Sequence, residues 1–213
     1  MRLDHVSYVA SHDQISDVVQ RIGSQIGTAF VDGGIHPQFG TRNFTAPLLN
    51  GQYIEVVCAL DHPAAEKTAF GQAVSRKADE GGGWLTWVFS TEDIVPIETA
   101  LDRIAIDGHR RHPDGTDLKW KQIGVKELLS EPELPFFVQW LTGAHPSLNG
   151  NPAAKISKII FSGTNPFFSS IFSSELESAL SLSKISTVLE ENEEGAGIFA
   201  IEFSTRLGMV LIQ

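Results

Sequence analysis

The chain opens on LDHVSYVA, where apolar and polar positions alternate as on a strand with one buried face. Ile15, Val18, Val19, Ile22 and Ile26 then recur at helical spacing behind Ser11 and Gln14, a pair at capping-box distance, and Gly27 can stop that helix. A short strand near residues 29–31 and a Gly-rich loop follow. Two further strands, around 42–48 and 52–60, are joined at Asn50-Gly51, a strong hairpin signal. One βαβββ unit is complete by Leu60.

The pattern then starts again. A helical stretch from Ala64 to Glu80 leads through Gly81-Gly82-Gly83 into the strand WLTWVFS. Ser90 or Thr91 can cap the next helix, whose Ile94, Ile97, Leu101 and Ile104 share a face, with Gly108 as its stop. Strands near 118–125 and 135–141 end the second unit, and AHPSLNGNPAA reads as a linker. Beyond it, ISKIIFSG is a strand, Asn165 and Pro166 are the cap and first position of a helix, and strands lie around 186–189, 198–203 and 209–212. The expected fold class is therefore α+β, built from repeated βαβββ modules. Two modules fill residues 1–62 and 81–146 around a helical connector at 63–80, and a third, shorter βαβββ-like module fills 155–213. The acidic run EENEE reads as a solvated turn.

Composition narrows the function classes. At 213 residues, 42% hydrophobic and 20% charged, the chain has the make-up of an ordinary folded protein. No apolar run is long enough to span a bilayer and the start lacks signal-peptide regions, so a cytoplasmic location is expected, with no membrane partner. A net charge of −10 argues against nucleic acid as a partner, because phosphate neutralisation needs clustered Lys and Arg. The small basic patch HRRHP, His109 to Pro113, reads as a solvated loop. The single cysteine, Cys58, excludes an intrachain disulfide and a thiolate metal cluster, and its apolar neighbours make it a buried small hydrophobe.

The run GGIHPQFGTRNFTAPLLNGQYIEVV, followed much later by LPFFVQW and AHPS, resembles the glyoxalase-like subfamily of the vicinal oxygen chelate superfamily, across roughly Leu3 to Pro146. The resemblance implies two βαβββ units paired into a half-open barrel. In metal-dependent members the ligands come from the first and last strands of each module. His5 fits the histidine slot of the first strand and Glu55 the carboxylate slot of the last. That donor pair suits a divalent Zn, Fe, Mn, Ni or Co ion. His36, in the HPQFGTRN loop, is the third candidate ligand and, with Glu55, a candidate catalytic group. Pairing WLTWVFS with DHVSYVA puts Leu85 opposite His5 in the second module, and pairing FFVQW with YIEVV puts Gln139 opposite Glu55, so the second module lacks the ligand pattern.

Gln139, Thr41, Asn43 and Trp87 are the candidate substrate-binding residues: an amide, two short polar groups and an indole. Strand alternation puts Trp87 with Leu85 and Phe89 on the cleft side and Trp140 in the core. His145, in AHPS, either closes over the cleft or caps a turn. Two functions follow from different premises. One is a metal-dependent lyase, isomerase or dioxygenase acting on a small organic molecule with adjacent oxygen atoms. The other is a metal-free protein that binds or sequesters such a ligand; a metal-independent acid/base set of His5, Glu55 and His36 stands between them. The apolar positions Phe167, Phe168, Ile171, Phe172 and Leu176 of the third module need cover, from a sheet of the same chain or from a homodimer partner.

Overall fold

The N-terminal alternation forms β1 (Arg2–Val9), which is buried along nearly its whole length because it lies mid-sheet with layers packed on both faces. The computed structural model describes residues 1–111, 115–191 and 195–213, except the side chains of Arg111, Phe168 and Ser169. His112 of the basic patch and residues 192–194 of EENEE lie outside the described residues. Helix α1 (Ile15–Ile26) buries Ile15, Ile22 and Ile26 and ends at Gly27 in the left-handed conformation. The expected capping box does not form, since Ser11 donates instead to the Asp13 carboxylate at 2.6 Å and α1 begins with no side-chain cap.

Strands β2 (Val31–His36), β3 (Thr41–Pro47) and β4 (Tyr53–Ala59) complete the first module. Asn50 and Gly51 both adopt positive φ, 67° and 69°, in the tight connection between β3 and β4. The connector is two helices, α2 (Pro63–Lys67) and α3 (Ala69–Asp79), broken where the Thr68 hydroxyl caps the Gly71 amide at 3.2 Å. The second module holds β5 (Gly83–Ser90), α4 (Val95–Leu101), β6 (Ile106–Arg111), β7 (Asp117–Ile123) and β8 (Phe136–Trp140). Here α4 stops at Asp102, in the left-handed conformation, so Gly108 is not a helix stop but lies within β6. A Cβ at Gly108 would sit 2.1 Å from Trp120 Cε2, so the glycine makes room for that indole.

Eight strands form one sheet in the order β2-β3-β4-β1-β5-β8-β7-β6. β4 runs parallel to β1 and β8 parallel to β5, while β1 and β5 pair antiparallel at the centre, so the modules mirror each other. The sheet curls until its edge strands β2 and β6 approach, and Arg110 of β6 bonds across to Asn43 of β3.

The third segment comprises β9 (Lys155–Ser162), α5 (Pro166–Ser169), α6 (Ser173–Ser183), β10 (Ser186–Glu190), β11 (Gly197–Thr205) and β12 (Gly208–Ile212). Its element order is that of the other two, but its strand order, β10-β9-β11-β12, is not. The strand after the helices pairs directly beside β9 instead of forming the far edge. This second sheet covers the outer face of the first: Leu3, Val6, Trp84, Trp87 and Phe89 share one apolar core with Ile159, Phe161, Ile201 and Phe203. Phe167 meets Trp87 at 6.1 Å and Phe172 meets Phe137 at 5.0 Å, so these two rings find cover within the chain. Among the described residues, no helix is long and apolar enough to cross a membrane.

Candidate functional site

The inner face of the curled sheet holds a second apolar cluster, including Val9, Val57, Val88, Phe136 and Val138, and within it a small cavity. Two irregularities in the β1–β5 pairing decide what faces that cavity. Leu3 pairs with Phe89 and His5 with Val88, which leaves Asp4 as an extra residue on β1; Ser7 pairs with Thr86 and Tyr8 with Trp84, which leaves Leu85 extra on β5. A one-residue slip exchanges the faces of a strand. His5 and Ser7 therefore share the inner face with Val88 and Thr86, and Trp87 is turned the other way.

Asp4 is fully buried and gathers four donors. Its Oδ2 accepts from His5 Nδ1 at 3.0 Å and Trp140 Nε1 at 3.2 Å. Its Oδ1 accepts from His145 Nε2 and forms an ion pair with Arg2 Nη2, both at 3.1 Å. Burial pushes the Asp4 carboxyl up, but the bonds from His145 and His5 and their charges outweigh it and hold the group well below the usual carboxylate range. As a carboxylate, Asp4 fixes His5 in the Nδ1–H tautomer, an assignment that rests on the hydrogen-bond network, and leaves Nε2 as the ring's acceptor. The imidazole stacks on Tyr53 with centroids 4.4 Å apart. Burial, then the Asp4 and Glu55 charges, raise the Tyr53 phenol, which keeps its proton.

Glu55 stands beside Ser7 on the neighbouring strand. Its Oε2 accepts from the Ser7 hydroxyl at 2.7 Å and its Oε1 from Asn43 Nδ2 at 2.5 Å. Burial alone would raise this carboxyl, yet the charges of His5 and His36 and these two bonds carry it below the ordinary value, so Glu55 is a fixed negative charge. The other end of the Asn43 amide accepts from Arg110 Nη1 at 2.7 Å, which settles which way the amide points. Burial lowers the Arg110 guanidinium, against the opposing charges of Glu55 and Asp32. Closing the group, His36 places Nδ1 3.3 Å from Thr41 Oγ1 and Nε2 3.4 Å from Arg110 Nη1.

These groups and the rings of Phe39, Phe70, Trp120, Phe136 and Trp140 enclose about 40 Å³. That is room for a fragment of a few heavy atoms, since one water needs roughly 10–15 Å³ on this measure. Trp120 donates to Gln122 at 2.7 Å, which orients its indole over the space.

The structure brings His5, His36, Glu55 and Asn43 together around this cavity, with Thr41 beside His36. It does not bring Gln139 or Trp87 there. Gln139 accepts from the Ile94 amide at 3.3 Å and donates to the Glu92 carbonyl at 2.7 Å, pinning the turn before α4. Trp87 is fully buried between the two sheets and donates to the Glu133 carbonyl at 2.9 Å. Phe136, Val138 and Trp140 line the cavity instead, so the residue of FFVQW that matches Glu55 of YIEVV is Val138, one short of Gln139, and Trp140, not Trp87, is the wall. His145 caps the turn, its Nδ1 accepting from the Ser147 amide at 3.2 Å, and does not close over the cavity, since its Nε2 bonds Asp4 behind it. Sequence reasoning missed Asp4, Arg110, Tyr53 and Trp120. Asp4 was hidden by the bulge and Arg110 by a strand that reads as a solvated loop.

A divalent cation held by His5, Glu55 and His36 does not fit this donor set. His36 Nε2 faces a guanidinium, Glu55 already holds Ser7 and Asn43, and among the described residues no three His, Cys, Asp or Glu side chains stand where they could share an ion.

The sequence matches the family model described as glyoxalase-like domain over residues 3–171. No curated relative matches it. Among solved structures, a hypothetical protein from Staphylococcus aureus is similar at TM-score 0.56 and 18% identity, over 100% of this chain and 85% of that one, which shows that the fold includes the third segment. A Streptomyces coelicolor methylmalonyl-CoA epimerase in complex with 2-nitronate-propionyl-CoA aligns at TM-score 0.44 and 18% identity, over 67% and 99% of the two chains. The Mycobacterium tuberculosis methylmalonyl-CoA epimerase aligns at 0.45 and 14%, over 65% and 86%. With the family model covering most of its length and the mirrored β1–β5 sheet beneath it, the chain belongs to the glyoxalase-like domain family.

Proposed function

We propose that this chain binds a small organic molecule in the cavity beneath His5 and Glu55, engages it through side chains and not through a resident metal ion, and exchanges a proton with it at His5. The observation that carries this reading is the Asp4–His5 bond, 3.0 Å long, which ties down one ring nitrogen and leaves the other as an acceptor at the cavity. Glu55 is the poorer base of the two. Both its oxygens already hold donors and its carboxyl is held down, so it serves better as a fixed acceptor for a hydroxyl or N–H group of the ligand. The aromatic walls supply apolar contact and exclude water.

The test is a fluorescence titration of chelator-treated protein with small 2-oxo and 2-hydroxy carbonyl compounds, with Trp120 and Trp140 in the cavity wall as reporters. Saturable quenching that survives chelation and weakens in His5→Ala is the expected result. Quenching that appears only on adding Zn, Fe, Mn, Ni or Co ions would replace this reading with the metal-dependent lyase, isomerase or dioxygenase. A flat response to every compound, with or without metal, would refute both.

A further inference from the structure

Arg110 is, among the described residues, the only Lys or Arg side chain that lines the cavity, and it is only 3% exposed. Buried charges are ordinarily paired, because removing an ion from water is costly. Here the nearest fixed negative charges, Glu55 and Asp32, act on the guanidinium through space, and the amide of Asn43 stands between it and Glu55. One nitrogen, Nη1, serves Asn43 and His36. The edge that carries Nε is unspent: Nε is shut off from solvent and has no hydrogen-bond partner. A guanidinium edge presents two coplanar N–H groups, the geometry that receives a carboxylate in bidentate fashion.

The backbone is shaped for this crossing. Arg110 comes from β6, at the far edge of the second module, and reaches the first module over Gly33, where a Cβ would lie 2.7 Å from Nη1. The same side chain borders an outer pocket of about 440 Å³ at the β2–β6 seam, lined also by Asp32, Arg42 and His109. The Arg42 charge there is answered by Asp32 at 2.6 Å, and the His109 ring is bonded to Asp117. Arg110 is left as the site's unanswered cation.

Resting on the proposed cavity function, we infer that the ligand carries a carboxylate, received on the Nε edge of Arg110, with the remainder of the molecule directed to His5. Glu55 lies at the other end of the Asn43 amide, so its charge disfavours a dianion and selects a singly charged, planar group over a phosphate.

Arginine-labelled full-length protein gives the direct test, through the Nε–H resonance of Arg110, assigned in the wild type by side-chain correlation to its own backbone amide. Acetate and lactate should shift that resonance saturably, and neutral acetamide should leave it in place. Lactate binding should weaken about tenfold or more in Arg110→Lys, the loss expected for one charge-assisted bidentate contact. An Arg110 Nε–H that ignores both carboxylates, or that moves with inorganic phosphate alone, overturns the inference, and the wild-type titration decides this even if the variant does not fold. If neutral hydroxy carbonyl compounds still quench Trp120 and Trp140 while carboxylates leave Arg110 unmoved, the cavity function stands and the carboxylate does not.

Discussion

Gly33 and Arg110 occupy one space from opposite edges of the sheet: a Cβ on Gly33 would lie 2.7 Å from Arg110 Nη1, and 2.0 Å from Asn43 Oδ1. The absent side chain is what lets the two modules join through the guanidinium. Gly33→Ala is therefore expected to push Arg110 off Asn43 and to abolish ligand quenching. The overpacking should cost about 1–3 kcal/mol of stability. Urea denaturation checks the second part and the fluorescence titration the first. A variant that binds like wild type would show that Arg110 does not need its present position.

Asp4 and Glu55 make acid stability a readout of the site. Both carboxyls are held below their ordinary values, 3.8 and 4.5, in the folded protein. A group depressed on folding contributes stability that is complete above its unfolded value and is lost as pH falls through the folded one. The midpoint of urea unfolding should thus stay level with respect to these two groups near neutrality and fall as pH drops below about 4.5, where the unfolded chain begins to take up protons ahead of the folded one. Asp4→Asn removes the charge that answers Arg2 and leaves one acceptor oxygen where two served His5, Trp140 and His145. It should lower stability at neutral pH by on the order of 3 kcal/mol and flatten the acid slope.

The indoles separate core from site. Trp87 packs against Phe89 and Phe161 between the sheets, with ring centroids 5.1 Å and 4.9 Å away, and does not line the cavity beneath His5 and Glu55. Trp87→Ala should destabilise by about 3–5 kcal/mol, as a large buried ring does when removed. Trp87→Phe should leave the ligand-induced quenching in place. Trp120→Phe should reduce that quenching, because Trp120 lines the cavity. Quenching that disappears with Trp87 and persists without Trp120 would move the ligand to the interface between the sheets.

Periodicity made most of the modules legible, β6 and the break between α2 and α3 excepted, and Asn50-Gly51 and Gly27 mark real turns. The family resemblance, not periodicity, brought out His5 and Glu55, and the polar loop between them His36 and Asn43, all of which stand on or beside the first module's inner strands. Counting along a strand fails at a bulge. The extra residue at Leu85 reverses the faces that simple alternation gives, turning Trp87 outward, and the one at Asp4 places an acid behind His5 that alternation puts on the opposite face. Arg110 was illegible for another reason. Its partners are Asn43 and His36, 67 and 74 residues away, and only closure of the sheet brings them together. Pairing across a barrel seam is a property of the closed sheet and leaves no local pattern.

Glu55→Gln separates the charge of the site from its hydrogen bonding. The glutamine carbonyl can keep the bond from Asn43 Nδ2, and its NH₂ can donate to the Ser7 hydroxyl, which is able to turn and accept. Asn43 then has no reason to flip, so its link to Arg110 survives. The expected loss of stability is within about 1.5 kcal/mol, the net worth of an ordinary hydrogen bond. Glu55→Leu leaves Ser7 and Asn43 without their acceptor and should cost about 1–3 kcal/mol more. Binding should move the other way. With Glu55 neutralised, Arg110 faces less competition for its charge, so Glu55→Gln should tighten lactate binding, read from the Arg110 Nε–H titration, while the stable fold is preserved. Tightening in Glu55→Gln together with weakening in Arg110→Lys would place the two residues on opposite sides of one charge balance. An unchanged lactate affinity in Glu55→Gln would mean that the carboxylate of Glu55 and the anion never sense each other.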